Sequence, residues 1–306
     1  MSDFEPISDL RLPVFVAPMY AVSNADLVIA SCKSGVAGTF TMANAQSISE
    51  LNRWMERINI ELRKERPSHR FWGVSIISRK INSRFQTEIE AIFRHQPPFV
   101  VAALGGVKEL VSITKSYGGM IYADVVNVRQ AQKAVSEGVD GLVLICAGAG
   151  GHTGYLSPFA FVDAVREFWD GTIILGGGIS SGTMVRASLA LGVNAVYMGT
   201  YFIAANESSA NQNYLTELHS AMIDDVVTIR ELSGIKANFL KNSIDLAKSV
   251  DGYQEATSPD VYRRIGSKFL WSDYFSSGHG VGKVKANENV ARLVQQLEEE
   301  FYLPKK

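Results

Sequence analysis

Along roughly its first 220 residues the chain alternates short β-rich apolar runs with segments of helical periodicity, and nothing else in it limits the fold as much. The runs fall near Val14–Ala17, Val36–Phe40, Phe71–Ile77, Phe99–Ala102, Met120–Asp124, Gly141–Cys146, Thr172–Leu175 and Ala195–Met198. Between them Ser47–Arg63, Ser83–His95, Val128–Glu137 and Pro158–Trp169 carry apolar residues at helical spacing, and Ser47 with Glu50 is a capping-box pattern. Strands that read as continuous apolar runs are buried on both faces, as in a parallel sheet. Eight such units of roughly 27 residues predict an α/β chain closed into a (β/α)8 TIM barrel. An open doubly wound sheet is the alternative, because alternation alone does not prove closure.

Beyond about Asp225 the rhythm changes. We therefore divide the chain into a barrel over 1–224, a mostly helical addition over 225–273 that covers the barrel mouth, and a segment over 274–306 in which a Gly-rich stretch and a last helix return to the barrel. The last helix, Asn287–Phe301, has Val290, Val294 and Leu297 at helical spacing and ends in Glu298, Glu299 and Glu300. Three carboxylates at a helix C-terminus oppose its dipole, which predicts a solvated, fraying end.

Composition narrows the partners. A formal net charge of -1 over 306 residues leaves no global basic field, which argues against nucleic acid or an anionic membrane surface as partner. Cys32 and Cys146 stand in apolar contexts without metal-ligand or CxxC spacing and read as buried free thiols of a reducing compartment. The start, Met1-Ser-Asp-Phe-Glu-Pro, lacks a basic or apolar leader, and no apolar run approaches the ~20 residues of a membrane span, so the expected location is the cytoplasm.

In a βα barrel chemistry sits on the loops after the strands, and here those loops hold the unusual residues. The sixth run is followed by Gly148-Ala-Gly-Gly-His-Thr-Gly154, glycines around one histidine, which let backbone approach a ligand beside a titratable group. It is not a dinucleotide fingerprint, since Thr153 stands where the third glycine is needed, and Gly278-His-Gly-Val-Gly-Lys283 is not a P-loop. After the seventh run comes Gly176-Gly-Gly-Ile-Ser-Ser-Gly182, and after the eighth Met198-Gly-Thr-Tyr201. Paired Gly-rich turns at these positions form a barrel phosphate site, with tight rim packing as the alternative. A phosphate clamp beside a glycine-lined histidine describes a phosphorylated planar cofactor, best matched by flavin mononucleotide (FMN). Neither a carboxylate pair nor a ligand cluster at metal spacing accompanies these loops, so no metal is expected.

Four of these segments in this order resemble the nitronate monooxygenase family, formerly 2-nitropropane dioxygenases: Leu12–Met19, Ala149–His152, Gly177–Ile179 and Met198–Thr200. The terminal Ser277–Gly282 is similar to that family's last Gly-rich segment, and the likeness runs over nearly the whole chain. The resemblance implies an FMN-binding barrel whose histidine, here His152, is the base toward a carbon acid. It implies that Ala17, Pro18 and Met19 face the flavin ring, that Ala149, Gly150 and Gly151 border it, that Gly177, Gly178, Gly199 and Thr200 hold the phosphate, and that Met198 belongs to the cofactor-binding set. Ser75 stands where relatives commonly have asparagine. Asp124 departs further, because many relatives place lysine or a small neutral residue there. As a carboxylate near the flavin it disfavours the anionic reduced form; otherwise it caps the following helix near Asn127 and Val128.

The leading expectation is an FMN-dependent oxidoreductase that oxidises alkyl nitronates with O2. An NADH-dependent reductase of a quinone or enoyl thioester on the same scaffold is the alternative within enzymes, and a flavin-binding partner subunit without turnover the alternative outside them. A small-molecule substrate is implied in either enzyme reading, and a homodimer is compatible with both. His69, His95 and His219 read as surface or interfacial residues; His279, Tyr20 and Tyr155 are candidates for the pocket wall.

Overall fold

The structure, a computed structural model, describes residues 7–77, 82–230, 235–248 and 274–302. Eight parallel strands close into a barrel: β1 (Val14–Val16), β2 (Ala37–Thr41), β3 (Trp72–Ile77), β4 (Phe99–Ala103), β5 (Met120–Val125), β6 (Gly141–Ile145), β8 (Thr172–Gly176) and β9 (Ala195–Met198). Closure is made by β1 against β9, with Val14 opposite Val196 and Val16 opposite Met198. Every expected run is a strand of this barrel, to within a residue or two at its ends, and the open sheet is excluded.

Helices fill the outer layer: α1 (Ala25–Lys33), α2 (Ile48–Leu62), α3 (Phe85–His95), α4 (Lys108–Ser116), α5 (Val128–Ser136), α6 (Pro158–Arg166) and α7 (Gly182–Ala190), and α8 (Thr200–Ile203) and α9 (Gln212–Ser220) follow the last barrel strand. Short polar side chains start several of them, since the first N–H groups of a helix lack internal acceptors. Asn24 accepts from Leu27, Ser47 from Glu50, Asn127 from Gln130 and Ser181 from Met184. The outward strand residues Phe40, Val74, Val100, Ile121, Leu142 and Ile173 pack with the inner helix faces. Inward, Phe15, Phe71, Phe99 and Tyr122 fill the lower lumen, with ring centroids of Phe15 5.7, 5.2 and 6.0 Å from the other three.

The described part of the 225–273 addition holds strand as well as helix. It opens with two strands, β10 (Val226–Ile229) and β11 (Ala237–Leu240), and only then a helix, α10 (Lys241–Lys248); residues 249–273 lie outside the described residues. β11 pairs antiparallel with β10 on one edge and on the other with β7 (Gly151–His152), inside the loop after β6. Val226-Val-Thr-Ile229 is a β-branched run, and all four residues of β11 are buried, which erases the alternation that marks a half-exposed strand.

The last helix, α11 (Val290–Tyr302), docks on α7 and α1 through Val290, Leu293, Val294 and Leu297. At its acidic end Glu298 and Glu300 are engaged rather than solvated, a correction. Glu298 forms an ion pair with Arg11, and Glu300 Oε2 accepts the N–H of Gly182 at 2.9 Å, capping α7 from another helix. Each carboxylate here meets a donor that outweighs the dipole of its own helix. No helix among the described residues is long and apolar enough to cross a membrane.

The α7–α11 contact rests on Gly182, where a Cβ would lie 1.9 Å from the Leu297 carbonyl and 2.5 Å from the Phe301 nitrogen. Backbone cannot rotate away as a side chain can. Gly182→Ala is expected to lower stability by at least about 1–3 kcal/mol, the usual cost of overpacking, measured as a fall in midpoint during thermal or urea unfolding.

Candidate active site

The eight barrel strands contain no Lys, Arg, His or Glu, and Asp124 is their one carboxyl. Side chains alternate along each strand, so Thr39 shares the inward face of Ala37, Asp124 that of Tyr122, and Tyr197 that of Ala195. Asp124 and Tyr197 lie toward the C-terminal ends of their strands, and Thr39 at the middle of β2. Thr39 Oγ1, Asp124 Oδ1 and the Tyr197 hydroxyl are each enclosed without a hydrogen-bond partner. Buried polar atoms are rarely left so. Three facing one lumen mark a place built for polar atoms from elsewhere. Burial raises the Asp124 carboxyl to about 7, and the Tyr197 phenol rises from burial and from the nearby Asp124 charge.

The loop after β6 is held from several sides. Ala147 N–H bonds the Leu156 carbonyl at 3.0 Å, Thr153 Oγ1 donates to the Cys146 carbonyl at 3.2 Å, and Thr153 N–H to the Lys236 carbonyl at 3.1 Å. Gly151 has φ +63, a conformation that suits glycine, and His152 follows it in β7, opposite Ala237 of β11. Asn238 of β11 is the clamp: its Nδ2 donates to the Ala149 carbonyl at 2.8 Å, its Oδ1 accepts from Thr228 Oγ1 at 2.5 Å, and its carbonyl accepts from Ser277 N–H at 3.2 Å. His152 is thus carried by a strand pairing, not by a free loop. Burial lowers its imidazole to about 4, so the ring is neutral at neutral pH.

The glycine turns after β8 and β9 lie beside this loop. Among the described residues the N–H groups of Gly177, Gly178 and Gly199 donate to no acceptor. The terminal Gly-rich segment closes against the same turns. His279 N–H bonds the Gly148 carbonyl at 3.0 Å, Gly278 N–H donates to Thr200 Oγ1 at 2.9 Å, and a Cβ on Gly278 would lie 2.5 Å from the Gly148 carbonyl. The first loop joins them because Ala17 N–H bonds the Met198 carbonyl at 3.0 Å and Met19 lies against Gly199. Asn44, at the end of β2, fixes that loop: it accepts from Ala21 N–H at 2.9 Å and donates to the carbonyls of Met19 at 2.9 Å and Ser23 at 2.7 Å.

Thus Ala17, Pro18, Met19, Ala149, Gly150, Gly151, His152, Gly177, Gly178, Gly199 and Thr200 gather around the strand ends, with Ser75 buried on β3. Met198 does not join them through its side chain, which is fully buried outside the barrel with Leu12, Val14 and Leu27. The helix cap assigned as one option to Asp124 belongs to Asn127, whose side chain accepts from Gln130 N–H at 2.9 Å. His279 and Tyr155 are exposed at the rim, and Tyr155 has Lys236 Nζ 5.9 Å above its ring. Burial pushes both cysteine thiols up to about 12, which leaves no thiolate for chemistry. Among the described residues no group of His, Cys, Asp and Glu could hold a metal ion. The free glycine N–H groups fit a phosphate, and the three unpartnered hydroxyl and carboxyl oxygens fit the polar edge of a ring.

The family model for nitronate monooxygenase matches residues 2–298. A nitronate monooxygenase of Paraburkholderia phytofirmans is 25% identical, over 97% of this chain and 94% of that one. Among solved structures, FabK of Thermotoga maritima matches with a TM-score of 0.79 at 21% identity, over 97% of this chain and 94% of that one. A nitroalkane oxidase of Streptomyces ansochromogenes also matches with a TM-score of 0.79 at 21% identity, over 96% and 97% of the two chains. A TIM-barrel oxidoreductase with one half-buried neutral histidine among its strand-end glycines, the chain belongs to the nitronate monooxygenase family, whose members are in general flavoenzymes.

Proposed function

We propose that this protein binds FMN and oxidises alkyl nitronates with O2, with His152 as its base. One observation carries the reading: His152 is half-buried, neutral and fixed by the β7–β11 pairing beside glycine turns whose N–H groups are unused. Bound FMN would supply the electron transfer, from the carbon acid to O2.

The chain's own residues would do the rest. Gly177, Gly178 and Gly199 would take the phosphate through backbone N–H groups, with the Thr200 hydroxyl beside them. Ala17, Pro18 and Met19 would flank the ring, and the Asn44 clamp would set their position. A neutral imidazole offers one donor and one acceptor. His152 would take the proton from a neutral nitro compound, or hold the anion of a nitronate already ionised. Burial makes it a weak base that is always in its accepting form near neutral pH. The barrel superposes equally well on FabK and on the nitroalkane oxidase, so the fold does not choose the electron source. NADH is therefore a necessary arm of the test.

The protein is expected to purify with one noncovalent FMN per chain, read from its absorbance after denaturation, and to turn over alkyl nitronates and propionate 3-nitronate aerobically. Anaerobic bleaching by a nitronate but not by NADH supports this reading. Rapid bleaching by NADH replaces it with a reductase, and bleaching by neither points to a subunit without turnover.

His152→Ala is expected to keep the flavin and lose ~10²- to 10⁴-fold in kcat/KM, the usual effect of removing a placed acid or base. In the wild type, protonation of His152 should depress kcat/KM only as the pH falls toward about 4. The same burial has a stability consequence. The folded imidazole titrates below the unfolded one, so its contribution is complete above about 6.5 and is lost as the pH falls through about 4. His152→Ala should flatten that acid-side fall in melting temperature.

Asn238→Ala leaves the Ala149 carbonyl without its donor and frees the loop before His152. Stability should drop by about 1–3 kcal/mol, the cost of an unmade buried hydrogen bond. Turnover should fall while the FMN content stays near one per chain, as measured by assay and absorbance on the same preparation.

A further inference from the structure

Asp124 is where the lumen's polarity concentrates. It is the one carboxyl in the eight barrel strands, and those strands supply no cation to pair with it. Its partly buried side chain faces inward at the mouth end of β5, with Oδ1 enclosed and unpartnered. The hydroxyls of Thr39, fully buried, and of Tyr197, only 8% exposed, face the same lumen and are unpartnered too.

A partly buried ionised carboxylate with one oxygen enclosed and no cation on the surrounding strands is disfavoured, and the group shifts toward its neutral form. The other titratable groups on the surrounding elements do not reverse this. Tyr122, on the same strand, donates to Met120 Sδ; β4 and β6 present Val101, Ala103, Val143 and Ile145; Tyr197 on β9 is a neutral phenol; and His152, above, is neutral. In its acid form Asp124 joins Thr39 and Tyr197 as a third O–H group. A lumen of neutral O–H donors without a cation suits an acceptor-rich edge, and suits it best when that edge gains negative charge.

We propose that Asp124, in its proton-bearing form, donates a hydrogen bond to the electron-rich edge of the flavin ring in the barrel mouth and so ties reduction of that ring to uptake of a proton. This rests on the flavin reading above. Reduction to the anionic form takes two electrons from the reductant and one proton from solvent. Where Asp124 starts ionised, a second proton is taken up by its carboxylate, because charge on the reduced ring favours the neutral acid. Where it starts protonated, no second proton is needed. The carboxyl titrates at about 7, so both regimes lie within the working range.

The test is the midpoint potential of the flavin-loaded protein, titrated with dithionite from pH 5.5 to 9, in the wild type and in Asp124→Asn. The two should coincide near pH 5.5, where both carry a neutral group. They should separate above pH 7, with the wild type lower and its potential falling more steeply per pH unit. Curves that stay parallel over the whole range, with flavin bound, overturn the proposal and leave the flavin reading intact; protein that takes up no flavin overturns both. Asp124→Ser serves in the same titration if the amide variant fails to fold. Thermal unfolding of the flavin-free proteins gives an independent check on the proton. The folded carboxyl titrates above the unfolded one, so its contribution is complete below about 4 and is lost as the pH rises through about 7. The variant should therefore gain on the wild type between pH 5.5 and 8.5, and a gap that does not change with pH overturns the assignment.

Discussion

Closure of β1 against β9 is the contact on which the rest of the molecule depends. Pairing Val14, Phe15 and Val16 with Val196, Tyr197 and Met198 turns a row of buried parallel strands into a barrel without edges. It also carries the first loop to the last glycine turn, because the same ladder continues as Ala17 N–H to the Met198 carbonyl. Residues far apart in the chain, Ala17 and Gly199, thereby line one mouth. The parity of β9 follows as well. Facing Tyr197 into the lumen sends Met198 outward into the hydrophobic layer beneath α1 and α11.

A second layer of fastening lies outside the barrel and comes from later in the chain. β11 reaches the loop after β6 as a strand, and Asn238 ties Ala149, Thr228 and Ser277 together through three groups of one residue. Such a junction fixes backbone that would otherwise spend conformational entropy, and so holds the position of His152. The 277–280 segment then lies so close to Gly148, Gly150 and Ser180 that glycine is required where it crosses. α11 completes the closure by capping α7 with Glu300, so the C-terminal segment is part of the site's support.

How far the sequence discloses this depends on how long each signal is. The barrel strands are visible because each is a whole run of buried residues bounded by turns, and the glycine loops because four separate segments occur in barrel order. β7 is two residues long and carries no periodicity at all, while β11 is buried on both faces and reads equally as helix. Asn238 and Asn44 carry no signal of their own, since their importance lies in which distant carbonyls they reach. Strand alternation alone turns the Met198 side chain out of the barrel and that of Asp124 into the lumen. The solvated end assigned to Glu298 and Glu300 failed for a different reason: local dipole rules cannot see Arg11 or the start of α7.

Asp124 and His152 show the same burial acting with opposite sign. Desolvation disfavours the charged form of either group, so it lifts the carboxyl and lowers the imidazole. Between about pH 4 and 7 both are neutral, and the site approaches a ligand with hydrogen bonds rather than charge. A lysine at position 124 would bring a fixed positive charge to the lumen and hold an anion at any working pH. A carboxyl holds one only while it keeps its proton. A carboxyl at this position therefore alters when the lumen favours negative charge more than whether it does, and it places a group that changes charge with pH where a small neutral side chain would not.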